Sequence, residues 1–143
     1  MFGEAVLATD ETAVRRCWPA FAQLRPHLPD EAEFLARWRE QSAQGYRLRY
    51  VEHDGAVAGV LGYRFLTTMV WGRVLYLDDL FVTDEVRGTG LGRHLLGIAE
   101  RLARGAGCAS VQLDTGYQRH AAHRTYLRNG YELSCHHLSL SLA

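Results

Sequence analysis

The stretch that decides the fold runs from Val82 to Arg93 and reads Val-Thr-Asp-Glu-Val-Arg-Gly-Thr-Gly-Leu-Gly-Arg. It follows the apolar run 74–77, which predicts a buried central strand, and it opens a segment whose leucines recur at helical spacing. Amide groups at the start of such a helix lack intrahelical partners and, with the helix dipole, favour anions. Three glycines let this backbone turn tightly and approach a phosphate closely; they are Gly88, Gly90 and Gly92.

The elements predicted around this turn are a strand, two helices, three antiparallel strands, and then a helix, a strand, a helix and a strand. The predicted strands cover residues 4–9, 46–52, 56–66, 73–82, 110–114 and 131–142, and the predicted helices cover 10–18, 31–43, 90–104 and 121–128. Asp54-Gly55 is a strong hairpin signal between two of these strands. A meander that leads into a β-α-β crossover predicts an α/β fold with a mixed sheet and helices on both faces. With no linker or repeat, we expect a single domain over residues 1–143.

Composition excludes several classes of function. Sixteen basic residues balance sixteen acidic ones, so the footprint of a nucleic-acid or anionic-membrane binder is missing. All sixteen basic residues are arginine, and without lysine there is neither a Walker-type phosphate loop nor a Schiff-base lysine. A phosphate group must therefore be held by backbone amides and arginine.

Cysteine usage predicts a reducing compartment, and the hydropathy of the sequence predicts no membrane helix. Cys17, Cys108 and Cys135 are odd in number and lack CxxC spacing, so we expect free thiols. The N-terminus has no signal-peptide pattern, and no apolar stretch approaches the roughly 20 residues of a membrane helix. We expect a cytoplasmic protein with no membrane and no nucleic-acid partner.

Three interpretations of the glycine-rich turn are open. It is an ordinary strand-to-helix turn, a nicotinamide dinucleotide site, or a site for the pyrophosphate of coenzyme A. Asp114, at the end of the next predicted strand, favours a dinucleotide fold. Against that fold, Arg93 occupies the third glycine slot and the turn comes late in the chain.

The segment 87–92 resembles, residue for residue, the R/Q-x-x-G-x-G/A motif of the GCN5-related N-acetyltransferase (GNAT) family. Leu80-Phe81-Val82 resembles the family's central strand, and Ala122-x-x-x-Tyr126-x-x-x-Gly130-Tyr131 resembles its later motif, although Arg119 stands where the family usually has asparagine. The resemblance implies cofactor binding by Leu80, Phe81, Val82, Arg87, Gly88, Thr89, Gly90, Leu91, Gly92, Arg93 and Arg119.

As an activity, the resemblance implies transfer of the acetyl group of acetyl-CoA to a primary amine of a small molecule or peptide. The amine would attack directly in a ternary complex, with no metal. Tyr126 would protonate the departing thiolate, and Asp78 or Asp79 would accept the amine proton. Because adjacent strand residues face opposite ways unless a bulge intervenes, we expect at most one of these aspartates to face the substrate. The alternatives are a non-catalytic acyl-CoA sensor on the same scaffold and a nicotinamide-dependent reductase.

Acceptor contacts are expected from Trp71, Tyr117 and His120. The first helices and the loop after the third strand add Trp38, Tyr63 and Met69, with Glu33 and Glu40 nearby, and such an aromatic, partly acidic cleft suits a small cationic amine. His120 and His123 stand one helical turn apart, but the sequence fixes no third ligand, so no metal site is expected. The alternating tail could pair two copies into a homodimer.

Overall fold

The computed structural model of the protein describes residues 2–116 and 118–142. It divides into two compact units, one ending at Leu113 and the other beginning at Asp114. The expectation of a single domain stays a prediction. No helix in the described ranges has the length and apolarity needed to cross a membrane.

The first unit is a five-stranded mixed sheet in the order β1-β2-β3-β4-β5. Neighbouring strands are antiparallel except for β4 and β5, which are parallel. The strands are β1 (Val6–Leu7), β2 (Arg47–His53), β3 (Ala56–Thr68), β4 (Gly72–Val82) and β5 (Ser110–Leu113), and the helices of this unit are α1 (Glu11–Arg16), α2 (Trp18–Leu24), α3 (Glu31–Ala43) and α4 (Leu91–Gly105). A short 3-10 turn, Asp84–Val86, joins β4 to α4.

Helices cover both faces of this sheet, as predicted. On one face, side chains of α1, α2 and α3 (Val14, Phe21 and Phe34) form a core cluster with Val60 and Phe81 of the strands. On the other face, α4 lies so close to β3 that a Cβ added at Gly59 would be 3.1 Å from side-chain atoms of Leu91 and Leu95. Burial of these apolar side chains is the main favourable term for the fold.

The first predicted helix ends earlier than expected, and a helix that was not predicted, α2, follows it. Asp10 begins α1 as predicted, since its carboxylate accepts from the Ala13 amide at 2.8 Å. The prediction that this helix continues through Trp18 was wrong. Cys17 ends α1, and Pro19 stands in the first turn of α2, where its missing N–H costs no hydrogen bond.

The prediction of strands in residues 131–142 was also wrong. Within the described tail no residue is in a strand, and its leucines are 77–91% exposed. Alternation of apolar residues stabilises a strand only when one face is buried and a neighbouring strand supplies hydrogen bonds. The second unit therefore has one helix, α5 (His120–Arg128), within its described residues.

Candidate active site

A β-bulge brings Asp78 and Asp79 to the same face of the sheet. In the β3–β4 ladder, Gly62 pairs with Asp79 and Tyr63 pairs with Leu77, so Asp78 has no residue opposite it. Both residues then line one cavity together with residues of α2 and α3. The extra residue in β4 breaks the alternation on which the expectation of a single facing aspartate depended, and which aspartate faces the substrate stays a prediction.

Two side chains hold Asp79 in place. Its Oδ2 accepts from the Tyr46 hydroxyl at 2.7 Å, and its Oδ1 accepts from Arg25 Nε at 3.2 Å and Nη2 at 3.0 Å. Burial raises the pKa of Asp79, although the hydrogen bond from Tyr46 and the charge of Arg25 act in the opposite direction. Burial also raises the pKa of Tyr46, so its hydroxyl stays protonated and donates.

Gly62 makes room for this contact. A Cβ added at Gly62 would overlap the Tyr46 hydroxyl oxygen and lie 2.6 Å from Cζ of the same ring. Real Cβ atoms do not come this close to a neighbour, so only glycine is compatible with the Tyr46–Asp79 hydrogen bond. Position 62, opposite the bulge, must therefore be glycine, because the Tyr46 side chain reaches across it.

Asp78 is held by arginine as well. Arg64 Nε and Nη2 donate to its two carboxylate oxygens at 2.8 and 2.9 Å, the bidentate geometry of a strong ion pair. The Asp78 carbonyl accepts from Arg25 Nη2 at 2.9 Å. Arg25 and Arg64 thus both hold the bulge in place.

The cavity in front of the bulge has a volume of about 360 Å³. We call it the bulge cavity and define it by Asp78 and Asp79 at its base and by a stripe of α3 along its wall. The stripe is spaced i, i+3, i+4 and i+7, which places its members on one helix face; it consists of Phe34, Arg37, Trp38 and Gln41.

β4 has an open edge beyond the bulge. Its pairing with β5 covers Val74–Leu77 only, whereas its pairing with β3 continues to Val82. From Asp78 to Val82, every second N–H and C=O of the backbone therefore points away from β3 towards a side where the described residues of the first unit supply no ladder partner. This edge can accept an extended ligand as an added strand.

The open edge leads into the glycine-rich turn. Gly88 and Gly90 have φ of +77° and +88°, and an added Cβ would meet no atom within 4 Å at either position. Glycine is therefore required here for backbone conformation and not for space. Gly90 is the N-cap of α4 and no side chain caps it, so within the described chain the first amides of this helix, up to Arg93, have no side-chain acceptor.

Side chains around the turn hold its shape. Arg87 Nε lies 2.9 Å from Asp84 Oδ1, and its guanidinium lies 5.5 Å from the centroid of the Phe81 ring. The Thr89 hydroxyl donates to the Val86 carbonyl. Leu91 is buried and anchors α4 against the sheet, while Gly92 and Arg93 follow it in the first turn of the helix.

The second unit carries the other predicted residues. Arg119 is the N-cap of α5, and Tyr126 is buried, with its ring centroid 5.6 Å from that of Tyr131. His120 is exposed, and His123 Nε2 lies 2.8 Å from the Gly116 carbonyl oxygen. Among the described residues no group of three or more His, Cys, Asp or Glu could hold a metal ion.

Two predicted acceptor contacts are not placed at the bulge cavity. Trp71 lies between β3 and β4, seven positions before Asp78, which corresponds to about 20 Å along an extended strand; its contact with the substrate stays a prediction. Tyr117 lies outside the described residues. Glu33 lies at the cavity's helix but binds Arg37 at 3.0 Å.

The residues that organise the site were not among those predicted from the sequence. Arg25, Tyr46, Gly62 and Arg64 come from a loop, a strand end and the partner strand, 14 to 54 positions from the aspartates that three of them bind. Their roles depend on the register between β3 and β4, which no local sequence pattern predicts. The one available signal was the pair of adjacent acidic residues inside a buried strand, which needs compensating donors.

The sequence matches the profile of the acetyltransferase (GNAT) family over residues 11–131. An uncharacterised N-acetyltransferase of Bacillus subtilis is 30% identical over 76% of this chain and 77% of its own length. An aminoglycoside N(6')-acetyltransferase of Stenotrophomonas maltophilia is 32% identical over 73% of this chain and 75% of its own. An aminoalkylphosphonate N-acetyltransferase of Salmonella typhimurium is 43% identical, but over 41% of this chain and only 38% of its own length.

Solved structures agree on the fold. The crystal structure of an acetyltransferase from Trypanosoma brucei superposes with a TM-score of 0.79, covers 97% of this chain and 99% of its own, and is 20% identical. The chain belongs to the GNAT family of acetyl-CoA-dependent N-acetyltransferases. The predicted family and fold are thereby confirmed.

Proposed function

We propose that this protein transfers the acetyl group of acetyl-CoA to the primary amine of a small acceptor, by direct attack within a ternary complex. The open edge of β4 between the bulge and the glycine-rich turn is the observation that carries the proposal. It offers backbone groups for the pantetheine arm at Leu80–Val82, and next to them the amides of residues 88–93 for the pyrophosphate.

When bound, acetyl-CoA supplies an acyl thioester as the electrophile. The backbone N–H groups near Phe81 and Val82 polarise its carbonyl and stabilise the negative charge that develops on the oxygen. Arg87 and Arg93 add charge-assisted donors to the phosphate groups. The ion pair between Arg87 and Asp84 keeps this guanidinium beside the turn before the substrate arrives.

The bulge cavity holds the acceptor. An alkylammonium has a pKa of about 10.4, so at neutral pH the reactive free amine costs roughly 4–5 kcal/mol. The aspartates at the base of the cavity accept the proton through water. Asp79 is the better placed of the two, because burial raises the pKa of its carboxyl and so strengthens it as a base.

Tyr126 returns a proton to the thiolate of coenzyme A as it leaves. Its place in the later family motif supports this role, and its burial keeps the phenol away from bulk water. Arg119 takes the place of the asparagine that often contacts the cofactor. His120 and the aromatic Trp38 contact the acceptor.

The test has two stages. The melting temperature is measured with acetyl-CoA, coenzyme A or NAD, and the coenzyme A compounds are expected to raise it while NAD does not. Acetylated product is then measured by mass spectrometry over a panel of primary amines, with a variant carrying both Asp78→Asn and Asp79→Asn. We expect this variant to bind acetyl-CoA normally and to lose turnover. Binding without acetylation of any amine would support a sensor instead, and stabilisation by NAD alone would support a reductase.

A further inference from the structure

The carboxylates at the base of the bulge cavity are already paired with donors of the protein. Both oxygens of Asp78 are occupied by Arg64. Both oxygens of Asp79 are occupied, one by Arg25 and the other by Tyr46. The negative charges at the base of the cavity are therefore already compensated by the protein.

The wall formed by α3, unlike the base of the cavity, carries a cation with donors left over. Arg37 lies on the helix face that lines the cavity, and its side chain is 53% exposed. Its Nε binds Glu33 at 3.0 Å, and within the described chain this is the one ion pair that Arg37 makes. Both Nη groups are then available, and they form the fork that binds carboxylate or phosphonate oxygens bidentately.

Other polar groups beside Arg37 can also donate hydrogen bonds. The Gln41 amide lies one helical turn further along the same stripe, and His27 lines the cavity from the loop before α3. Glu40, which sequence analysis considered as part of an acidic cleft, is exposed and does not line the cavity. The charge balance therefore argues against a site built for a polycationic acceptor.

The volume limits the size of the acceptor. The cavity, of about 360 Å³, lies at the lower end of the roughly 300–1,000 Å³ that is usual for small-molecule sites. A short amine fits this space, whereas most of a peptide or an oligosaccharide would lie outside it.

We infer that the acceptor is a small primary amine that also carries an anionic oxygen group, a carboxylate or phosphonate, and that Arg37 is the residue that selects for this group. The amine end then lies at the aspartates and the anionic end at the stripe of α3. This inference rests on the proposed function. It differs from the cationic acceptor that the aromatic residues alone suggested.

The experiment compares acceptors that differ only in the anionic group. Acetyl transfer is measured with β-alanine against β-alaninamide, with 2-aminoethylphosphonate against propylamine, and with kanamycin as a polycationic amine. The wild-type protein is compared with Arg37→Gln and Arg37→Lys. Arg39→Gln is the matched control, since Arg39 lies on the same helix but binds Glu11 and does not line the cavity.

We expect the wild type to prefer the anionic member of each pair. Arg37→Gln should raise KM for that member about 10- to 100-fold, the size expected for loss of charge-assisted hydrogen bonds, and change kcat by no more than about twofold. Arg37→Lys should lie between the two, because it keeps the charge without the fork. Arg39→Gln should match the wild type, and urea unfolding should show that all variants fold.

Preference for the amide, for propylamine or for kanamycin would overturn the inference, as would an equal effect of Arg37→Gln on both members of a pair, or acetylation of no compound in the panel. These results are distinguishable from failure of the proposed function. If acetyl-CoA does not stabilise the protein and no amine of any charge is acetylated, the proposed function fails as well. If neutral or polycationic amines are acetylated, the function stands and only the inference falls.

Discussion

Gly62→Ala tests the packing that holds the bulge. The new Cβ would overlap the Tyr46 hydroxyl oxygen and lie 2.6 and 2.8 Å from two ring carbons. Tyr46 cannot easily move aside, because it is 5% exposed and its hydroxyl binds Asp79. The substitution therefore forces the ring to shift and breaks a hydrogen bond to a carboxylate.

The magnitude follows from these two effects. A hydrogen bond to a charged group contributes about 1.5–3 kcal/mol, and an extra methyl group in a filled core costs about 1–3 kcal/mol. We expect Gly62→Ala to lower the free energy of unfolding by about 3–5 kcal/mol. That is a large share of the about 5–15 kcal/mol that stabilises an ordinary domain.

Urea unfolding measures this loss, and Gly97→Ala is the matched control. Gly97 lies within α4, and a Cβ there would meet only Arg101 Nη1, at 3.6 Å. The same substitution should therefore stabilise the protein by about 0.5–1 kcal/mol, as glycine in a helix does when replaced by alanine. In the double variant Gly62→Ala with Tyr46→Phe, the overlapping oxygen is gone. The double variant should therefore lose less free energy of unfolding than the sum of the losses of the two single variants. If Gly62→Ala is as stable as the wild type, the account of the bulge is refuted.

Three further predictions concern single residues. Tyr126→Phe should leave the affinity for acetyl-CoA unchanged and lower kcat about 10- to 100-fold, measured by calorimetry and by product formation; unchanged kcat would remove its role. Gly90→Ala should weaken acetyl-CoA binding and destabilise the protein by about 1–2 kcal/mol, since its φ of +88° is left-handed and strained for alanine; equal binding would contradict this. Burial raises the pKa of Asp79 above its ordinary value of 3.8, so protonation of this carboxyl stabilises the folded state. This stabilisation is complete at pH values below 3.8 and is lost as the pH rises through the pKa of the folded state. The wild type should therefore lose stability relative to Asp79→Asn as pH rises from about 4 towards 7, and a constant difference in urea unfolding across that range would show the sign to be wrong.

The fold was largely predictable because its signals are local. Asp54 and Gly55 both have positive φ, as expected for the two-residue hairpin that their sequence indicates. Asp30 caps α3 through the Glu33 amide at 2.9 Å. The glycine-rich turn joins a strand to a helix as its composition implies. In each case a few neighbouring residues determine the backbone conformation.

The failures have a common physical cause. Trp18 begins a new helix and does not continue α1, because Cys17 ends α1 and Pro19 stands in the first turn of α2. Apolar residues alternate in the tail as they do in a strand, but Leu138 and Leu140 are exposed. No buried apolar face therefore stabilises a strand there. The bulge at Asp78 arises from the pairing with Gly62 and from donors distant in sequence, which only the folded chain brings together.

The central claim is that the open edge of β4 and the turn after it bind coenzyme A. Hydrogen exchange of individual amides, measured by NMR with and without saturating coenzyme A, tests it most directly. We predict that exchange slows by at least about tenfold at those amides of residues 80–82 that point away from β3 and at Gly88–Arg93, because these amides become hydrogen-bond donors to the ligand. Binding of coenzyme A that protects other amides and leaves both of these segments unchanged would contradict the account.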